Sequence, residues 1–427
     1  MTETATRQRR SASRPGIARH GRLREPRTWV GVVKLLAAVV TVLAVSTTAV
    51  VVYAGTKLVN DIDVVALEGE EQGAPLPQIG DFEGGVNLLL VGTDTREGQG
   101  DVGGGVETGN LNDVNMLVHI SADHTNMTVV SIPRDLVVPI PSCPRESGTG
   151  YYSAMAGRPI NETLGYGGLP CTVLTVEELT GLEIPFAAMV TFTGVIGMSD
   201  AVGGVPVCIT GGDIADRYTE TYLSEGEHTL SGQQALEFLR TRHGVGDGSD
   251  LGRISSQQAF LSSLVRTITG DGTLNDPTKL YGLASAATQN MTLSSGLAQV
   301  NTMVSIAQTL RGMDLNNINF VRYPSTFGSS GIYAGKLQPI VSEADELMDR
   351  LANDIPFALG EDSVGVGAEV VDPGAPEGEQ PAEPEQTPPP TEAADDGGTP
   401  APVETDSTVI EGLVGQSAAQ QTCSVAN

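Results

Sequence analysis

Residues 35–54 read LLAAVVTVLAVSTTAVVVYA, twenty consecutive residues without a charge. As a helix rising about 1.5 Å per residue, the run measures about 30 Å, the thickness of a bilayer's hydrocarbon core. It dictates the plan of everything else, because a chain that crosses a membrane there has its two flanks in different solvents. Trp29 and Tyr53 bracket the run as interfacial aromatics, and Lys34 can snorkel toward the headgroups. Residues 1–28 hold eight arginines, from Arg7 to Arg27, against two glutamates. The positive-inside rule therefore puts this tail in the cytoplasm and the chain after about residue 56 outside. A cleaved signal peptide and a buried core helix are the competing readings. The first usually has a shorter apolar stretch and an A-x-A site, which is not evident here; the second is rarely apolar all round beside an arginine-rich tail. The expectation is an uncleaved single-pass anchor in the cell membrane, with the folded part extracytoplasmic.

The formal net charge is −28, but it is unevenly spread: residues 361–427 carry fourteen acids and no Lys or Arg. Residues 361–406 are rich in Pro, Glu and Gly, with almost no large apolar side chains, and read as a disordered acidic linker. The parts expected are a cytoplasmic tail (1–28), a membrane helix (29–55), a stalk (56–81), a folded domain (82–356), the linker, and a short C-terminal segment (407–427) containing Cys423. All four cysteines lie on the external side, where disulfides are permitted. Cys143 and Cys171 flank one loop region, which favours Cys143–Cys171 and leaves Cys208–Cys423. Four cysteines admit three pairings, and free buried thiols are a further option. Four lysines against twenty arginines, with abundant Gly and Ala, fit a GC-rich genome such as an actinobacterium's.

The domain reads as strands mixed with helices. VNLLLVG (86–92), NMLVHIS (115–121), MTVVSIP (127–133), FAAMVTF (186–192), VPVCIT (205–210) and INFVRYP (318–324) are short apolar runs rich in branched residues. CTVLTVEELTG (171–181), SGQQALEFLRTR (231–242) and GRISSQQAFLSSLVRTIT (252–269) have helical spacing. Ser231 is a candidate N-cap with Gln234 three residues on. Ile254, Phe260, Leu261, Leu264 and Val265 fall on or near one helix face. The fold class expected is α/β: a mixed central sheet flanked by helices in an α-β-α arrangement, preceded by one transmembrane helix.

The candidate site residues sit where these elements end. Asp94 and Arg96 follow the first strand, Asp113 precedes the second, and Arg134 and Asp135 follow the third behind Pro133. Ligands of open α/β sheets bind outside such strand ends. The run RTRHGVGDGSDLGRISSQQ (240–258) adds Arg240, Arg242 and Arg253 around a glycine-rich bend, with Gln257 one helical turn after Arg253. Three guanidinium groups repel one another unless an anion lies among them, and their forks match phosphate oxygens in pairs. A diphosphate needs a divalent cation as well, and Asp94 and Asp113 offer the hard oxygens magnesium takes. His119, His124 and His243 lack zinc spacing, and there is no Walker or G-x-S-x-G sequence. An acidic external domain also argues against nucleic acid.

In order, LLLVGTDTR, NDVNMLVHIS, SIPRDLVVPIP, GYGG, LTVEELTG, AVGGVPV, GEHTLSGQQALEFLRTRHG and SDLGRISSQQ resemble the motifs of the LytR-CpsA-Psr family over roughly residues 84–268. The resemblance implies a phosphotransferase of envelope assembly. Such an enzyme moves a glycopolymer from a polyprenyl-diphosphate carrier to peptidoglycan as a phosphodiester, with pyrophosphatase activity an accompanying option. Carried over by position, Asp94 and Asp113 would hold Mg²⁺ (Mn²⁺ being the alternative). Arg134, Arg240, Arg242 and Arg253, with Gln257, would grip the diphosphate, with Arg96 an additional contact. A hydrophobic tunnel of the family's fold takes the prenyl tail. The partners implied are a polyprenyl-diphosphate-linked glycan, peptidoglycan and the membrane, and the polymer would be arabinogalactan or a teichoic-type glycan. One position departs from the family's pattern: Leu111 stands where Arg-x-Asp is common. That departure favours the alternative of a membrane-tethered envelope sensor, one that binds polyprenyl diphosphate without turnover.

Overall fold

The computed structural model describes residues 29, 32–42, 46, 62–69, 85–95, 110–145, 147–270, 273, 276–360, 362–371 and 408–427. The chain divides into two units, residues 1–56 and 57–427. In the first, residues 32–42 are helical. Among the described residues no helix is long and apolar enough to cross a membrane. Most of the apolar run after residue 42, the arginine-rich tail and most of the stalk lie outside the described residues.

In the second unit twelve strands build two sheets. In chain order they are β1 (Asp63–Val65), β2 (Val86–Thr93), β3 (Asn112–Ile120), β4 (Met127–Ile132), β5 (Phe186–Val190), β6 (Val205–Thr210), β7 (Gly226–Leu230), β8 (Met291–Ser294), β9 (Ile318–Arg322), β10 (Ala368–Val370), β11 (Gly415–Ser417) and β12 (Thr422–Val425). The helices are α1 (Thr163–Thr180), α2 (Phe192–Val202), α3 (Gly232–Arg240), α4 (Asp250–Gly270), α5 (Pro277–Asn290), α6 (Val300–Gly312) and α7 (Val341–Ala352). The central sheet is mixed, in the order β1-β8-β5-β2-β3-β4-β9-β11.

Alternation along the strands feeds both faces of this sheet. Leu89 and Val91 of β2 and Leu117 of β3 enter a core closed by Leu169, Val173 and Val176 of α1 and Leu347, Met348 and Leu351 of α7. Their neighbours Leu88, Leu90, Met116 and Val118 enter a second core with Leu261 and Val265 of α4 and Met303, Ile306 and Leu310 of α6. A strand buried on both faces must be apolar throughout, which is why these runs look continuous rather than alternating. Each fully buried Leu, Ile, Val or Phe contributes about 1.5–3 kcal/mol. The result is the expected α-β-α layering.

The small sheet, β7-β6-β12-β10, packs on α3 and α4 through Val205, Val207, Ile209, Phe238 and Phe260. Helix α4 is thus a shared wall, with Leu261 and Val265 toward the central sheet and Phe260 and Leu264 toward the small one. Its apolar residues serve two faces rather than the single face the spacing predicts. Both favoured disulfides are present, Cys143–Cys171 and Cys208–Cys423, with Cα–Cα distances of 5.1 and 4.5 Å.

Other boundaries differ for local reasons. The strand predicted over 186–192 stops at Val190, because Thr191 accepts the Gly194 N–H as N-cap and Phe192 begins α2. The helix predicted from Cys171 begins just before it, at Leu169, after non-helical backbone at Gly167 and Gly168 that separates it from a short helical segment starting at Thr163. Ser231 occupies the N-cap position of α3 but makes no side-chain cap bond; Ser199 Oγ accepts the Gly232 N–H instead. Strand β10 extends the described chain past residue 356 into the run read as linker, while residues 372–407 lie outside the described residues.

Candidate active site

Antiparallel pairing of β2 with β3 and of β3 with β4 brings the C-terminal end of β2, the N-terminal end of β3 and the C-terminal end of β4 together. This is the end where open sheets hold ligands. The register shifts between Gly92 and Thr93, and beyond the shift Asp94 turns back on β3. Its N–H donates to Leu111 O at 3.3 Å, and its Oδ1 accepts the Leu111 N–H at 3.1 Å. Buried Asn112 anchors the start of β3 by donating to Ile160 O and accepting the Leu164 N–H. Asp113 is thereby placed facing Arg134 at the end of β4, with Arg134 Nη1 to Asp113 Oδ1 at 2.6 Å.

Around this pair the charges are arranged in depth. Arg253, only 7% exposed, donates from Nη2 to the Asp113 carbonyl at 3.2 Å. Asp250, one turn earlier on α4, lies with Oδ1 2.7 Å from Arg253 Nη2 and 3.2 Å from Arg134 Nε. Neither Asp250 oxygen makes a well-angled hydrogen bond, so charge is what holds it there. Burial alone would lower the Arg134 guanidinium, but Asp113, Asp250 and Asp135 together raise it above its ordinary value. Burial pushes Arg253 below its ordinary value, against the pull of Asp250, while Arg134 and Arg242 push further in the same direction. An added anion would relieve that mutual repulsion.

The loop between α3 and α4 presents Arg242. Buried Asp216 fixes its start: Oδ2 accepts the Thr241 hydroxyl and the N–H groups of Arg242 and His243 at 3.0–3.1 Å, while Oδ1 accepts the Tyr218 N–H. Burial alone would raise the Asp216 carboxyl, but these bonds outweigh it and hold the group below its ordinary value.

Asp113, Arg134, Arg240, Arg242, Arg253 and Gln257 all line one cavity of about 490 Å³. Arg240 lies over the Phe192 ring, 4.6 Å from its centroid, and the Gln257 amide donates to Leu239 O at 2.8 Å, tying α4 to α3. The same cavity is also lined by apolar side chains, among them Leu90, Val114, Met116, Met198, Leu236 and Leu261. Asp94 lies beside this cavity, next to lining residue Thr93, and Arg96 is outside the described residues. Asp250 and Asp216 are the residues that sequence reasoning missed. An acid in a helix's first turn is ordinary, and nothing local connects residue 216 to residue 242.

The donors available for magnesium are two carboxylates. Among the described residues no group of three or more His, Cys, Asp or Glu could hold a metal. Magnesium commonly takes one or two carboxylates together with substrate phosphates. Asp94 and Asp113 lie on adjoining strand ends, and an ion held by them would need the ligand's phosphates to complete its shell.

The LytR_cpsA_psr family model matches residues 53–350, which include both strand ends and all the cavity arginines. The chain belongs to the LytR-CpsA-Psr family. This LytR-CpsA-Psr protein is 30% identical over 268 residues to the cell wall biosynthesis protein LcpA of Corynebacterium glutamicum, covering 57% of this chain and 51% of LcpA. It is 25% identical over 348 residues to the polyisoprenyl-teichoic acid–peptidoglycan teichoic acid transferase TagT of Bacillus subtilis, covering 79% of this chain and 98% of TagT. The matched region spans about half the length of the corynebacterial relatives LcpA and LcpB. Among solved structures, the LytR-Csp2A-Psr enzyme from Actinomyces oris shares the fold, with TM-score 0.50 and 22% identity over 68% of this chain and 96% of that one.

Proposed function

We propose that this chain transfers a glycopolymer from a polyprenyl-diphosphate carrier to peptidoglycan, leaving a phosphodiester. One observation carries the reading: a single cavity is lined both by arginines and by large apolar side chains. An amphiphile with a hydrocarbon tail and a diphosphate head matches both kinds of lining at once, and few other ligands do. Leu90, Met116, Met198 and Leu261 would face the prenyl chain, with Arg134, Arg242 and Arg253 at the phosphates.

The chemistry follows from where charge builds. An acceptor hydroxyl attacks the sugar-side phosphorus, the new P–O bond forms, and the bond to the bridging oxygen breaks to release prenyl phosphate. The hydroxyl proton passes to a site carboxylate, Asp94 or Asp113, whichever is not fully committed to the metal. Fixed guanidinium groups stabilise the charge on the non-bridging oxygens without having to reorganise. Asp113 and Asp94 would hold Mg²⁺ (or Mn²⁺), which when bound supplies further positive charge at those oxygens. The run 35–54 would anchor the protein in the cell membrane with the site outside, beside its lipid-borne donor. The corynebacterial relatives are named for cell wall biosynthesis and TagT for teichoic acid transfer, so the polymer proposed is a cell-wall glycan, arabinogalactan or a teichoic-type one.

Leu111 favours a second reading, a tethered sensor that binds the lipid without turnover. One experiment separates the two. The full chain in detergent is given a short prenyl diphosphate, and prenyl phosphate release is followed with and without Mg²⁺. Metal-dependent release, reduced about 100-fold in Arg242→Ala, is the expected result. Tight binding with no release would move the sensor ahead, and neither binding nor release would reject both.

A further inference from the structure

Beyond Cys423, the last residues of the chain run into the loop that carries the arginines. Strand β12 lies parallel to β6, with Ser424 beside Ile209 and Val425 beside Thr210, and Cys208–Cys423 fastens the pair. From there Ala426 N–H donates to Thr210 O at 2.9 Å, and Ala426 pairs with Val245 in an antiparallel bridge. Val425 O accepts the Gly246 N–H at 2.9 Å, and Asn427 N–H donates to Gly244 O at 3.1 Å. The Asn427 side chain donates to His243 O at 2.9 Å. Three consecutive residues thus engage positions 243–246, between Arg242 and the start of α4.

The two ends of this loop are held by different parts of the chain. Asp216 fixes the entry, at Thr241, Arg242 and His243. The middle is held by two internal turns, Val245 N–H to Arg242 O at 3.4 Å and Gly248 N–H to Val245 O at 3.0 Å, by the buried Val245 side chain, and by residues 425–427. Gly246 has φ +56, and a Cβ there would lie 2.8 Å from Gly367 Cα and 3.2 Å from Gly252 Cα. The loop is therefore packed backbone to backbone against the first turn of α4, immediately before Arg253.

We infer that residues 425–427 are positioning residues for the diphosphate site: by holding 243–246 they fix Arg242 relative to Arg253. Without them, two carbonyls and one N–H of the loop lose their partners, and the path from Arg242 to α4 loosens. The ligand named here rests on the proposed transferase reading; the structural claim does not.

The test uses the full chain in detergent with farnesyl diphosphate as probe. Asn427→Ala removes the donor to His243 O. Ala426→Pro removes the donor to Thr210 O and disturbs the bridge to Val245. Ile410→Ala is the control, destabilising the C-terminal segment in a core that contains none of residues 243–246. Both loop variants should weaken farnesyl diphosphate binding by about five-fold or more, the factor expected for one lost hydrogen bond. They should also speed amide exchange at Gly246, while the control does neither, even where its melting temperature falls as far. Binding within two-fold of wild type in both loop variants, or an equal loss in Ile410→Ala, would overturn the inference. If the wild type fails to bind the probe, the transferase reading fails. Gly246 exchange then still decides whether the segment holds the loop, and unchanged exchange in both loop variants overturns that claim.

Discussion

Asp250→Asn isolates one charge at the centre of the cluster without changing its shape. The carboxylate is 2.7 Å from Arg253 Nη2 and 3.2 Å from Arg134 Nε, and its side chain is 11% exposed. Unit charges at those distances attract by about 5–6 kcal/mol each at an effective dielectric near 20, before desolvation is subtracted. Removing one partner of a buried pair and leaving the other costs about 3–5 kcal/mol. Over roughly 300 described residues, unfolding entropy amounts to about 0.6 kcal/mol/K, so a 3 kcal/mol loss lowers the melting temperature by about 5 °C. The ligand effect has the opposite sign. Among Arg134, Arg242, Arg253, Asp113 and Asp250, cations exceed anions by one in the wild type and by two in the variant. Asp250 also competes with a phosphate for the same two guanidinium groups. Inorganic pyrophosphate should therefore raise the melting temperature more in Asp250→Asn than in wild type, with the gap narrowing as salt is added. Thermal scans across a pyrophosphate titration read both effects. A melting temperature within about 1 °C of wild type would mean that Asp250 does not neutralise the cluster. A smaller pyrophosphate response in the variant would mean that the arginines do not form an anion site.

Asp216→Asn should raise KM for a prenyl diphosphate about ten-fold through a loosened Arg242 loop, and cost about 2–3 kcal/mol in urea unfolding, since hydrogen bonds to a buried carboxylate are lost. Because the folded Asp216 carboxyl lies below its ordinary 3.8, its contribution is present above that pH and lost as pH falls through the folded value; the variant's acid limb should be flatter. Cys423→Ser opens a link spanning 215 residues and should lower stability by about 3–5 kcal/mol in the chain-entropy view, read as a melting shift; reductant should then shift the wild type further than the variant, which keeps only Cys143–Cys171. Burial pushes the His119 imidazole below its ordinary 6.5, opposed by Asp354, so the fold prefers the neutral ring. Its contribution is full above about pH 6.5 and declines as pH falls toward the folded value; urea midpoints at about pH 7.5 and 5.5 should converge in His119→Gln.

What could be read in advance was whatever is encoded by nearest neighbours along the chain. β2 and β4 are buried on both faces, and a strand with no solvent face leaves an unbroken run of branched residues. Strand ends are where the runs stop, so Asp113 and Arg134 could be named as site residues before their 2.6 Å contact was known. Phe192 shows the limit. It continues an apolar run, but Thr191 caps a helix there, and the ring ends under Arg240 instead of extending a strand. Arg253 and Gln257 share a helix face, but the Gln257 amide serves the α3–α4 contact. Helical spacing reports the direction of a side chain and not which neighbour reaches it first.

The residues that could not be read are the ones whose role depends on distance along the chain. An arginine cluster inside so acidic a protein requires its own counter-charges, and they come from two sources. Asp250 is local and looks like any acid at a helix start. Asp216 lies 26 residues before Arg242 and acts on its backbone rather than its charge. Asn427 reaches His243 across 184 residues. Half of the net charge of −28 comes from the fourteen acids beyond residue 360, yet just beyond the 372–407 stretch the chain returns to complete the small sheet and brace the arginine loop. Overall charge therefore says nothing about the field inside the cavity. The four guanidinium groups of Arg134, Arg240, Arg242 and Arg253, set against Asp113, Asp216 and the adjoining Asp250, decide it, and that balance is set by contacts that only the folded chain brings together.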